Sequence, residues 1–182
     1  ARLAHHAEAA ADAEAVCLHA PLAAERAAAR GAHREAAAQY ERALRFAERL
    51  APEDRARLSE HHSYECSLTG RVEAALDSQE CAVQLRRSLA EPLPEAESLR
   101  AWSRLLRLVG RIDEAADVGR QAIALLEPSA FGRELALAYA NLGHTFVTAD
   151  DGDEGATWAR RAHELAERLA DDEARTYSLT LI

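Results

Sequence analysis

Small residues recur along this chain at a fixed interval, and that pattern restricts its fold more than any other feature. Four segments align: GAHREAAAQYERAL from Gly31, GRVEAALDSQECAV from Gly70, GRIDEAADVGRQAI from Gly110 and DDGDEGATWARRAH from Asp150. One column holds Ala36, Ala75, Ala115 and Gly155, and a second holds Ala43, Ala82, Ala122 and Ala162, both stepping by 39, 40 and 40 residues. The chain is rich in alanine, but the glycines at Gly31, Gly70 and Gly110 keep the same register without sharing that bias. Residues seven apart stand two helical turns apart on one face, so each pair of small side chains lets a partner helix come close. Glycine just before each second helix suits a tight turn that needs positive φ.

Between these segments the apolar spacing is helical. Leu99, Trp102, Leu106 and Val109 step by 3, 4 and 3, and Leu135, Tyr139, Leu142 and Phe146 by 4, 3 and 4. No stretch alternates in the manner of a strand. Pro52, followed by Glu53 and Asp54, and Pro94, followed by Glu95 and Glu97, read as helix starts, and Pro128 with Gly132 marks a gap. The predicted helices are 2–10, 13–20, 21–30, 33–50, 53–68, 71–90, 95–109, 112–127, 131–148, 153–170 and 173–182. They make an all-α, antiparallel helix-hairpin solenoid of four to five repeats, expected as one domain over 1–182. Residues 1–20 read as a degenerate first repeat, 21–50, 53–90, 95–127 and 131–170 as full repeats, and 173–182 as the helix of a truncated one.

Composition then removes several functions. With 48% apolar and 29% charged residues the chain is neither disordered nor membrane-like, and no apolar run approaches the ~18–20 residues a bilayer needs. A net charge of −9 argues against direct nucleic-acid contact, which needs clustered positive charge. Three cysteines, Cys17, Cys66 and Cys81, without CxxC spacing, fit a reducing cytoplasm rather than a disulfide framework. There is no lysine and no methionine. The first excludes a GxxxxGK[ST] phosphate loop within these residues. The second reads as a piece of a longer protein, and the alanine and arginine bias as GC-rich, bacterial coding.

The segment AYANLGHTF resembles the first helix of a tetratricopeptide repeat, with Tyr139, Leu142, Gly143 and Phe146 on the family's aromatic, leucine, glycine and aromatic positions. Ala36, Tyr40 and Ala43 resemble its second-helix signature, whereas Gln79, Gly119 and Ala159 replace the aromatic in the other copies. The ~40-residue period exceeds the family's usual ~34. The runs GAHREAAAQYERALRFAERL, SYECSLTGRVEAAL and WSRLLRLVGRIDEAA further resemble the helical-repeat region of large ATP-dependent LuxR-type (MalT-like) transcriptional regulators. That resemblance implies a cytoplasmic, non-enzymatic sensor region used in signal transduction. ATPase and DNA-binding domains would lie elsewhere in the parent chain. A free-standing adaptor for a peptide or protein is the alternative.

Candidate binding residues come from an arginine stripe. Arg100, Arg104 and Arg107 share one helical face, and Arg's planar fork suits carboxylate or phosphate. In the resemblance's geometry that face lines a groove, with Tyr64 and Ser67 from the preceding repeat and His144 and Thr148 from the following one. Expected partners are a protein or peptide, other domains of the parent chain, or a small anionic ligand. The bland reading is a solvated face balanced by acids. Self-association through exposed solenoid ends is also expected. No cofactor, metal or catalytic residue is expected. His62 and Cys66 have ligand-like spacing, but Cys66 falls on a core column and zinc needs three or four ligands. His5 and His6 lie in a terminal helix, and Asp150, Asp151, Asp171 and Asp172 read as helix caps. Trp102 reads as core and Trp158 as partly exposed.

Overall fold

The computed structural model describes residues 2–128 and 132–179, without the side chains of Glu173 and Tyr177. Among the described residues the regular elements are helical throughout, and none is long and apolar enough to cross a membrane. The helices are α1 (Arg2–Ala9), α2 (Ala13–Ala28), α3 (His33–Leu44), α4 (Pro52–Leu68), α5 (Val72–Leu89), α6 (Pro92–Leu108), α7 (Ile112–Leu126), α8 (Gly132–Thr148), α9 (Gly152–Leu169) and α10 (Asp172–Leu179). A 3-10 turn, Ala47–Arg49, follows α3. The fold is a tetratricopeptide-like repeat of antiparallel hairpins: α2 with α3, α4 with α5, α6 with α7 and α8 with α9. The chain forms two compact units, Ala1–Leu89 and Ala90–Ile182.

The hairpin turns follow the glycine register. Gly31, Gly70 and Gly110 take φ of 73°, 76° and 77°, and Asp150 takes the fourth place at 60°. Ala11, Ala90 and Ala170 also sit at positive φ, in the turns before α2, α6 and α10. Both small-residue columns are buried: Ala36, Ala43, Ala75, Ala82, Ala115 and Ala162 are wholly inaccessible, and Ala122 and Gly155 nearly so. Twelve residues before the first column runs a facing set of small side chains. Ser63 donates from Oγ to the Ala75 carbonyl at 2.8 Å, and Ser103 does the same to Ala115 at 2.8 Å. In the last hairpin both places are glycine. A Cβ on Gly143 would lie 3.1 Å from the Gly155 carbonyl, and one on Gly155 would lie 2.7 Å from Val147 Cγ2. Backbone therefore meets backbone there.

In the first unit Val16, Ala20 and Ala24 of α2 pack with Tyr40 and Ala43 of α3 and Leu58 of α4. Ion pairs fasten the edges: Arg42 to Glu8 at 2.8 Å and a two-pronged Arg86–Glu60 pair at 2.8 Å. The second unit buries Leu99, Leu106, Leu126 and Leu142.

Three element boundaries correct the sequence reading. Residues 13–20 and 21–30 form one helix that runs through Pro21. Its buried stripe of Val16, Ala20, Ala24 and Ala27 holds the helix together across the break in hydrogen bonding. Pro92, not Pro94, opens α6, so the helix begins three residues earlier than the predicted 95. Helix α3 stops at Leu44 instead of continuing to 50. The expected helix start at 131 and end at 182 lie outside the described residues.

Candidate functional site

Large apolar side chains left in contact with solvent concentrate on the first helix of each hairpin. In the first unit these are Leu18 and Leu22 on α2 and Tyr64 and Leu68 on α4. In the second they are Leu108 on α6 and Val147 on α8. Among the described residues α3, α5 and α7 carry none, and the rest, Leu3, Val109, Leu169 and Leu179, sit on α1 or near the ends of α6, α9 and α10.

Within the second unit, α6 and α8 are pinned where Asn141 Nδ2 donates to Ser103 Oγ at 2.9 Å. The next turn of each helix brings Arg104 and Arg107 beside His144. Arg104 is exposed, and Arg107 and His144 are partly buried. The His144 imidazole is held below its ordinary value, first by burial and then by the positive fields of Arg107 and Arg104. It therefore stays neutral where a free histidine would begin to charge. Its buried Nδ1 has no hydrogen-bond partner in the fold, nor has Oδ1 of Asn141. Thr148 Oγ1 donates to the His144 carbonyl at 2.8 Å and is occupied locally. Arg100 is partly buried rather than part of a freely solvated stripe. Of the sequence-predicted groove residues, the second unit thus joins Arg104, Arg107 and His144 on one face. Tyr64, 60% exposed, and Ser67, which donates to the Tyr64 carbonyl at 2.7 Å, belong to α4 of the first unit.

The first unit also holds a cleft of about 550 Å³ between α2 and α4. Leu18, Pro21 and Leu22 form one wall, Leu58 and His61 the other, and Tyr40 of α3 lines it as well. The Tyr40 and His61 rings stack 5.4 Å apart at an interplanar angle of 11°. Burial, with the fields of Glu25 and Glu65, pushes the Tyr40 phenol up to about 12. Nothing in the sequence pattern pointed to this cleft. The signal available was the unusual run of exposed leucines beside a helix-interior proline.

The structure does assemble a Cys–His–Ser arrangement that the sequence reading had not foreseen. Cys66 Sγ lies 3.3 Å from His62 Nε2, and His62 Nδ1 lies 2.7 Å from Ser78 Oγ. Its chemistry is that of a buried polar chain. Cys66 is wholly inaccessible, burial raises its thiol, and burial lowers His62. A protonated thiol beside a neutral imidazole is no nucleophile, because the thiolate is the reactive species. Glu65 is buried and meets His33 Nδ1 at 2.8 Å, so it does not join His62 and Cys66 as a ligand. Among the described residues no group of three or more His, Cys, Asp or Glu side chains is placed to hold a metal ion. Cys81 is exposed, while Cys17 is half-buried with its thiol against the Phe46 carbonyl at 3.5 Å. Asp151 and Asp171 cap α9 and α10 by accepting from Glu154 N and Ala174 N. Trp102 is only partly buried. Trp158 is also partly buried, with the Arg161 guanidinium 4.6 Å above its ring and its Nε1 donating to Glu154.

No family model matches the sequence, and no curated protein matches it significantly. Solved structures do match the fold. BtubC (BKLC) from P. vanneervenii superposes with a TM-score of 0.73 at 18% identity, over 94% of this chain and 72% of that one. A Signal Transduction ATPase with Numerous Domains (STAND) protein with a tetratricopeptide repeat sensor, from Pyrococcus horikoshii, gives 0.77 at 10% identity, over 93% of this chain and 26% of that one. The Rap conjugation gene regulator of plasmid pLS20, in complex with the Phr* peptide, gives 0.67 at 13%, over 96% and 53%. At such identities the likeness is one of architecture. By that measure this chain has a tetratricopeptide-like helical-repeat fold.

Proposed function

We propose that this chain is a non-enzymatic recognition module that binds a peptide or protein segment on the first-helix faces of its hairpins. The observation that carries this reading is the placement of the exposed large apolar side chains on α2, α4, α6 and α8, with none on α3, α5 or α7 among the described residues. In the second unit the adjoining Arg104 and Arg107, with the neutral His144 beside them, give that face a positive field, suited to a carboxylate-bearing segment or a small anion. A repeat regulator of similar fold is recorded with a peptide bound, which agrees with such a use.

The finer reading is a sensor region of a multidomain, LuxR-type transcriptional regulator in the cytoplasm, with the ATPase and DNA-binding domains outside these 182 residues. Its support is the resemblance of the repeat sequences and the fold shared with the repeat sensor of a STAND protein. A partner held on the repeats would then shift the attached domains between two arrangements. The coding sequence on either side tests this directly. A phosphate loop upstream and a helix-turn-helix downstream are expected, and a free-standing adaptor would show neither.

Binding is tested by titrating the protein with a glutamate-rich octapeptide while following the His144 imidazole by NMR. An anion beside the ring favours its charged form, so bound peptide should raise the His144 pKa. Arg104→Glu should weaken the peptide by about tenfold or more, in line with loss of one charge-assisted contact. Unchanged affinity in that variant would remove the arginine face from the binding surface.

A further inference from the structure

We infer that the α2–α4 cleft of the first unit is a socket for an arginine or lysine side chain of a partner peptide. This rests on the reading of the chain as a recognition module. Three features of the cleft converge on an occupant with an aliphatic stem and a cationic, hydrogen-bond-donating head.

The first is backbone chemistry. Pro21 lies in the interior of α2 and has no N–H, so it cannot close the helical hydrogen bond to the carbonyl of Cys17, four residues earlier. Both residues line the cleft. The Cys17 carbonyl thus lacks its helical donor at a residue that lines the cleft, and such groups seek another partner.

The second is charge. Glu25, also lining the cleft, is exposed. The cleft's other carboxylate, Asp54, is matched by Arg57 at 2.7 Å, and both belong to the lining. The charged lining residues are two carboxylates and one guanidinium, and the whole chain carries −9.

The third is shape and polarity. Leu18 is 59% exposed and Leu22 44% exposed, and with Leu58 they offer the apolar walls that a methylene stem covers. A volume of about 550 Å³ admits one such side chain with part of its backbone and a neighbouring residue. An acidic side chain would meet Glu25 and the carbonyl as like to like. A purely aliphatic one would leave both without a donor.

The test uses the whole chain and three hexapeptides identical except at one central residue: arginine, its neutral isostere citrulline, and glutamate. Methyl resonances of Leu18, Leu22 and Leu58 are followed up to about 10 mM peptide, a range that captures weak single-anchor binding. The arginine peptide should shift these methyls, and the citrulline and glutamate peptides should bind about tenfold more weakly or less. Glu25→Gln should weaken the arginine peptide by about fivefold or more. Pro21→Ala restores the helical N–H, so it should raise the thermal midpoint and yet weaken the arginine peptide, a pairing of effects that damage to the fold cannot produce. Equal binding of arginine and citrulline peptides, or no methyl shift with any of the three, would overturn the inference. If the glutamate-rich octapeptide still perturbs His144 in that case, only the socket fails. If it does not, the recognition reading fails with it.

Discussion

At the scale of single residues, the turns separate conformational strain from packing. A Cβ on Gly70 would meet nothing within 4 Å, so Gly70→Ala tests the φ of 76° alone and should cost about 1 kcal/mol, read from the urea midpoint. Ala90, at φ 55°, is the reverse case, and Ala90→Gly should gain stability of up to about 1 kcal/mol. Gly155 differs from both because the obstacle is an atom: its Cβ would stand 2.7 Å from Val147 Cγ2 and 3.1 Å from the Val147 nitrogen. Gly155→Ala should therefore cost about 1–3 kcal/mol and loosen α8 from α9. His62 carries a pH dependence. Burial holds its folded pKa below the ordinary histidine value of about 6.5, so below that pH the unfolded chain binds the additional proton. Its contribution to stability is whole above pH 6.5 and is lost as the pH falls through the depressed folded value. Denaturation midpoints between pH 5 and pH 7.5 should converge in His62→Asn relative to the parent. The small-residue columns and turn glycines were legible in the sequence, because the repeat preserves residue size at fixed spacing. The Cys66–His62–Ser78 chain was not. Ser78 comes from α5, and the sequence spacing of α4 alone says nothing about what faces it.

At the scale of elements, the two middle hairpins, α4 with α5 and α6 with α7, share one rung: a serine of the first helix bonded to a carbonyl of the second. Ser63→Ala should cost about 1 kcal/mol, and Ser103→Ala about 2–3 kcal/mol, because it also leaves the buried Asn141 Nδ2 without its acceptor. The two sites share no partner, so the double variant should be additive to within about 0.5 kcal/mol. Helix existence and order were readable from apolar periodicity and the breakers. Two of the misjudged ends share a reason, proline. The sequence reading broke the helix before Pro21 and took Pro94 as a start, but proline tolerates any place in the first turn and is carried inside a helix that tertiary packing holds. The buried faces of α2 and α6 decided those boundaries.

At the scale of the whole molecule, composition spoke to what the chain does not offer more clearly than to what it binds. The arginine spacing gave Arg104 and Arg107, the repeat resemblance placed His144 beside them, and the structure brings the three onto one face through the contact between α6 and α8. The placement of Tyr64 and Ser67 depends on the first unit, where they share α4 with the cleft-lining Leu58 and His61. The cleft itself arises from a proline and two leucines that helical periodicity assigns only to a surface, since depth between helices is not a property of one helix. A ligand's identity is still less accessible to composition, because recognition depends on a few side chains whose neighbours come from other parts of the chain.

The unequal burial of the three cysteines gives the unmodified protein a single chemical handle. Cys66 is sealed, Cys17 is half-covered with its thiol directed at a carbonyl, and Cys81 lies open on α5. A maleimide fluorophore should attach once per native chain, at Cys81, and three times in denaturant, as counted by intact mass. With no lysine side chain to compete, the dye would report from one known point on α5. Docking of a partner on the first unit could then be followed by energy transfer on the wild-type sequence, without engineering a cysteine-free background.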